Sequence, residues 1–123
     1  MSSNLTPVAA PAQGAFVGPI DLTSLNLGTT SQIMIGFLEA AANEQWCPYF
    51  GLSNSLTPTE GNLAGLTPAP NVPASPAGLP VLIGPGPFSI PFGPINPAPG
   101  AYLYVLRLLG SASGVQVQVS GQT

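Results

Sequence analysis

Residues 115–120 alternate without a break, Val115, Val117 and Val119 interleaved with Gln116, Gln118 and Ser120. A period of two predicts a β-strand with valines toward a core and glutamines toward water or another subunit. The preceding run, residues 102–109, is apolar on both faces: Tyr102, Tyr104, Leu106 and Leu108 on one, Leu103, Val105, Arg107 and Leu109 on the other. Such a strand is expected at the centre of a sheet, buried on both faces apart from Arg107. The Gly110-Ser111-Ala112-Ser113-Gly114 connection between the two runs predicts a C-terminal hairpin over 101–121.

Weaker patterns fill the first half. Residues 16–28 alternate loosely and predict one or two short strands before a turn at Gly28, and residues 29–37, rich in β-branched and aromatic side chains, read as another strand. Residues 38–46 carry Ala, Glu and Gln and leave two readings open: two helical turns stopped by Pro48, or a strand running to about Ala41 with a turn at Ala42-Asn43. Residues 1–15 are small, polar and proline-punctuated, the composition of an extended N-terminal arm that is mobile unless a partner holds it.

Twelve of the sixteen prolines fall between Pro58 and Pro99. Each fixes φ and removes a backbone donor, so ladder pairing is expected only in brief pieces such as 79–83 and 88–90. The segment 58–100 is therefore predicted to run extended and polyproline-like, either wrapping its own domain or crossing onto a neighbour. Phe88, Ile90, Phe92 and Ile95 are threaded through its stiffest part, GPGPFSIPFGPINPAPG, where docking an apolar side chain costs less entropy than on a flexible loop. These four, with Trp46 and Tyr49 of the WCPYF stretch and Arg107, are the candidate partner contacts. The fold expected from these patterns is all-β, a small β-sandwich or barrel of five to seven short strands, with long Pro/Gly-rich irregular connections and an N-terminal arm. A single domain over 16–123 suits a chain of 123 residues.

Charge changes the picture most. Asp21, Glu39, Glu44, Glu60 and Arg107 are the only charged side chains, 4% of residues against roughly 25% in ordinary soluble domains. Positive mean hydropathy with so little charge predicts folding rather than disorder. A net charge of -3 gives weak repulsion between copies, so association is expected. One arginine and no lysine exclude phosphate neutralisation, hence nucleic acid as a main partner, and equally an anionic membrane surface. Residues 1–14 lack the basic start and apolar run of an export signal, and no window is long and apolar enough for a membrane span, which places synthesis in the cytosol.

Little in the chain carries chemistry. Without histidine or lysine there is no base for a serine or cysteine nucleophile. Glu39 and Glu44, five apart, point away from each other on either a helix or a strand, and read as solvated acids rather than a glycosidase pair. No acidic loop has calcium-binding spacing, and Cys47 has no second cysteine to join and no basic neighbour to activate it. Gly84-Pro85-Gly86-Pro87 lacks the N–H groups that cradle phosphate, and the Asn4-Leu5-Thr6 sequon reads as chance. No catalytic, cofactor or metal residues are expected, and Arg107 is expected to pair with an acid or with carbonyls at a subunit contact.

Stiff apolar straps, a nearly uncharged exterior and missing catalytic groups converge on a non-catalytic structural assembly protein. In type, though through no motif, the chain is similar to accessory virion proteins, above all phage capsid decoration (cement) proteins. That likeness implies a homo-oligomer, a trimer by preference, seated on a capsid or other shell subunit in the virion. A fibre, tail or surface-layer subunit is the first alternative, and a carbohydrate- or peptide-binding β-module the second.

Overall fold

The computed structural model describes residues 2–22, 25, 32–69, 72–76, 78–91 and 102–122. Within them lie β1 (Ser2–Asn4), β2 (Val8–Ala9), β3 (Phe16–Asp21), β4 (Gln32–Leu38), β5 (Gln45–Gly51), β6 (Leu66–Pro68), β7 (Leu82–Ile83), β8 (Phe88–Pro91), β9 (Tyr102–Leu109) and β10 (Gln116–Gln122), with no α-helix. They make two antiparallel sheets. In sheet A, β10 lies between β4 and the short strands β1 and β2, with β8 beyond β4; in sheet B, β9 lies between β3 and β5, with β6 and β7 on the far side of β5. The two- and three-residue pieces β1, β2, β6 and β7 come from segments too irregular in sequence to announce a strand, which carries the strand number past the five to seven expected.

The fold is all-β and sandwich-like, because side chains from both sheets share one core. Ile33, Ile35 and Phe37 of β4 stand beside Val117 and Val119 of β10, and face Trp46 and Phe50 of β5 with Leu103 and Val105 of β9. The rings of Phe37 and Trp46 stack across the two layers, centroids 4.2 Å apart and 7° from parallel. Sheet B is buried on its other face as well. There Cys47, Tyr49, Tyr104 and Leu106 are covered by Phe16 and by Leu56, Leu63, Leu66 and Leu79, and Tyr104 Oη donates to the Ser53 carbonyl at 2.7 Å. The proline-rich path thus wraps its own domain as far as it is described, and residues 92–101 lie outside the described residues.

The hairpin expected over 101–121 does not form. β9 and β10 belong to different sheets, and residues 110–114 arch from one to the other. Both strands carry an inward apolar stripe, Leu103 and Val105 on one and Val117 and Val119 on the other; an arch sets the stripes face to face, whereas a hairpin lays them side by side in one sheet. Each strand also gains longer partners, β10 pairing with all seven residues of β4 and β9 with both β3 and β5.

The arm is extended, as expected, but its own domain holds it. β1 and β2 pair with β10, Leu5 and Ala10 donate to the Val119 and Val115 carbonyls at 2.9 Å, and both side chains pack on the core. Residues 38–46 form no helical turn: β4 ends at Leu38, Glu39 takes a left-handed φ of 68°, and β5 begins at Gln45. Pro48, read as a stop signal, sits inside β5. Its carbonyl accepts from Ala69 N–H on the β6 side, so its nitrogen, which points the same way, meets the gap between β7, paired at residues 45–46, and β6, paired at 49–51.

Removing residues 1–10 uncovers one edge of β10 while sparing the contacts made by residues 11–15. The expected outcome is a folded chain with a lowered melting midpoint, faster amide exchange at residues 115–121, and association through the bared edge; unchanged protection of β10 speaks against the arm as its cover.

Candidate functional site

The alternation that turns Leu103 and Val105 inward also turns Arg107 inward, at the end of the core where β9 meets Trp46 of β5. The sole basic side chain is therefore inside, 5% exposed, and its counter-charge is Glu44, 2% exposed, placed at the mouth of β5 by the turn after Glu39. Glu44 Oε1 accepts from Arg107 Nη2 at 2.6 Å and from Nε at 3.2 Å, while Oε2 accepts from the Ala41 N–H at 3.1 Å. Nη1 donates to the Pro11 carbonyl at 3.0 Å and Nη2 to the Ala112 carbonyl at 2.9 Å. The guanidinium carbon stands 5.1 Å from the centre of the Trp46 ring. Backbone bonds tighten the knot: Arg107 N–H donates to Ala15, Gly14 N–H to Arg107, and Gly84 N–H to the Glu44 carbonyl.

Gly110 is what lets the carboxylate approach. Its φ of 152° and the collision that a Cβ would make with Glu44 both require glycine there, and its N–H donates to Gln13 Oε1 at 3.0 Å. The cluster thus ties the arm, the turn between β4 and β5, and the arch between β9 and β10 at one end of the sandwich. With its charge matched and both oxygens engaged, Glu44 acts as a clamp rather than as an acid or base. Glu39, its supposed companion on a solvated surface, is exposed on the other side of the turn.

The candidate contacts scatter. Trp46, Tyr49, Ile90 and Arg107 are buried inside the chain, which removes them as partner contacts. The physical reason is the second layer: each lies on a strand whose inward face is covered by the opposite sheet or whose outward face is covered by the proline-rich path. Phe88 is half-buried against Phe37, with ring centroids 6.1 Å apart, and Phe92 and Ile95 fall outside the described residues. Sequence reasoning missed Glu44 and Gly110. A usable signal was present in the placement of the sole arginine on the apolar stripe of its strand, which demands a buried acid.

Cys47 is wholly buried on the outer face of sheet B. Burial first, and the negative charge of Glu60 second, push its thiol from the ordinary 9.0 up to about 12. Burial, then the neighbouring Cys47, pushes the Tyr49 phenol from 10.0 to about 12. Among the described residues no three of Cys, Asp and Glu gather closely enough to hold a metal ion. Set against known proteins, the chain matches no family model, no curated protein and no solved structure.

Breaking the clamp from one side strands a buried charge. Glu44→Gln and Arg107→Met are each expected to lower unfolding free energy by about 3–5 kcal/mol, and the double variant Glu44→Leu/Arg107→Met by clearly less than their sum. Denaturant titration of the four proteins measures the coupling, and additive losses refute the clamp.

The two raised acids make the fold alkali-sensitive. Both groups bind their protons more tightly folded than unfolded, so their contribution is complete below pH 9 and is lost as pH rises toward about 12. Thermal midpoints recorded across that window are expected to fall, with a smaller fall for Cys47→Ala, and native Cys47 is expected to resist alkylation at mildly alkaline pH; a flat profile contradicts the burial of these groups.

Proposed function

We propose that this chain is a non-catalytic structural assembly subunit, an accessory protein that attaches to a preformed shell in the manner of a phage capsid decoration protein. On this reading it is made in the host cytoplasm, resides in the virion, works as a homo-oligomer, by preference a trimer, and has a capsid or other shell subunit as its partner.

The observation that carries the reading is the way the molecule disposes of its charge. Its one basic side chain is spent on an internal clamp, leaving an exterior of hydroxyls, amides, prolines and scattered apolar groups. Such a surface attaches by burial and backbone hydrogen bonds, which salt screens little. The sheet edges favour a template over free polymerisation. Pro19 lies in β3, Pro68 in β6 and Pro91 in β8, and Pro7 and Pro11 flank β2, so each outer strand is short or interrupted where another copy would add. That weighs against a fibre built by strand addition. A sugar- or peptide-binding module loses its proposed platform, since Trp46 and Tyr49 are inside.

The test mixes purified chain with shells assembled without it and counts bound copies by electron microscopy and sedimentation. Saturable attachment at defined sites, persisting between about 0.1 M and about 1 M salt, is the expected result. A chain that ignores the shells, or that forms filaments without them, defeats the proposal.

A further inference from the structure

The end of the sandwich closed by the clamp also gathers the protein's exposed grease. Register pairs Leu38 with Gln116, Gln116 with Ala9, and Gln45 with both Leu109 and Ile83, which brings the ends of β4 and β9, the start of β5, and β2 and β7 together. Among the described residues the large apolar side chains left exposed are Val8 (37%), Leu38 (40%), Ile83 (59%), Leu109 (41%) and Leu52 (78%). Four of these five belong to this end, whereas Leu52 stands alone beyond the opposite end of β5. The surface between them is concave. Leu38 borders a cleft of about 400 Å³ floored by Gly36 and walled by Met34, Pro85 and Pro87, and Ile83 borders one of about 230 Å³ beside Pro73 and Pro76.

Charge decides what covers this end. Glu44 is matched by Arg107 within the chain, and the acid left among the exposed apolar groups is Glu39, which follows Leu38 and lines the same cleft. It holds a left-handed φ of 68°, a conformation in which glycine is the comfortable choice. A second copy has no base to offer Glu39, because the only basic side chain of the sequence is already inside the clamp. Two copies meeting through this end bury carboxylates without counter-charges, an arrangement that buried interfaces avoid.

We infer that this end is the docking surface for a protein of different sequence, whose contacting patch is apolar and carries a lysine or arginine placed to meet Glu39. The inference rests on the attachment reading and narrows it to one end of the sandwich and one chemistry of partner surface. The clamp prepares the surface: the arm, turn and arch that carry these side chains are fixed to one another before any partner arrives, which lowers the entropy lost on binding. Self-association of the chain, where it occurs, uses other surfaces.

The experiment places the photo-crosslinking amino acid p-benzoylphenylalanine at Ile83, Leu109 or Leu52 of the full chain in the cells that make it, with thermal melting to verify each fold. The expected result is an adduct from positions 83 and 109 but not 52. Mass spectrometry is expected to map it to a different protein, at a segment containing Lys or Arg. Adduct yield is expected to fall about tenfold with Glu39→Lys and less with Glu39→Gln. An adduct with a second copy of this chain overturns the inference. So does no adduct at 83 and 109, a yield at 52 equal to theirs, or indifference to Glu39→Lys. The two levels of the argument separate cleanly: crosslinks to a protein that is not part of a shell retain the docking end and discard the shell reading. Shell-bound chain crosslinking only from position 52 does the reverse.

Discussion

Arg107 cannot lie on the inward face of β9 unless something neutralises it, and that constraint organises the end of the molecule around it. A lone guanidinium in an apolar interior costs several kcal/mol, so the turn after β4 must deliver Glu44, the arch after β9 must carry glycine at position 110 to make room, and the arm must pass close enough to lend the Pro11 carbonyl. Three connections that share no strand are thereby held in one arrangement. The Trp46 ring links this polar knot to the apolar core, touching Arg107 at one end of its environment and stacking on Phe37 of the opposite sheet. The same tie that satisfies one charge also fixes how the two layers sit at that end.

The proline-rich segment finds its purpose in the second face of sheet B. A sheet buried on both faces needs a cover, and in this chain the cover is irregular backbone studded with Leu56, Leu63, Leu66 and Leu79 rather than a helix or a third sheet. Proline suits that task, because an extended path fixed in advance surrenders little entropy when its side chains dock, and its missing N–H groups need no partners in a loop. The path then changes sheets between β7 and β8, with the Pro85 carbonyl accepting from Phe37 N–H at 2.8 Å on the way. The stiff apolar straps therefore serve the chain's own core over the described residues, and the surface available to others is made from strand ends and turns.

That division bears on how such a molecule associates. Faces that a sandwich buries internally are closed to partners, and proline-bearing edges resist strand addition, so the ends of the layers remain. At one end the exposed apolar side chains stand on a preorganised base with a single unneutralised acid among them, a surface that distinguishes partners by charge while gaining affinity by burial.

Much of the local structure was legible in the residues. The period of two at Val115, Val117 and Val119 marked a half-buried strand, the two apolar faces of 102–109 marked a central one, and the prolines marked where ladders must be brief. These follow from backbone geometry, which each residue carries with it. Pairing does not. Whether Gly110 to Gly114 closed a hairpin or an arch depended on which partners β9 and β10 found far away in sequence, and two strands with inward stripes satisfy local rules equally well side by side or face to face. The partner-contact residues went inside for the same reason: Trp46, Tyr49 and Ile90 are apolar whether they face a core or a neighbour, and only the arrival of the opposite layer or its covering loops tells which. Sequence by itself determined which segments are extended and how scarce charge is; tertiary structure alone decided what each of them is buried against, because burial is a property of distant segments meeting.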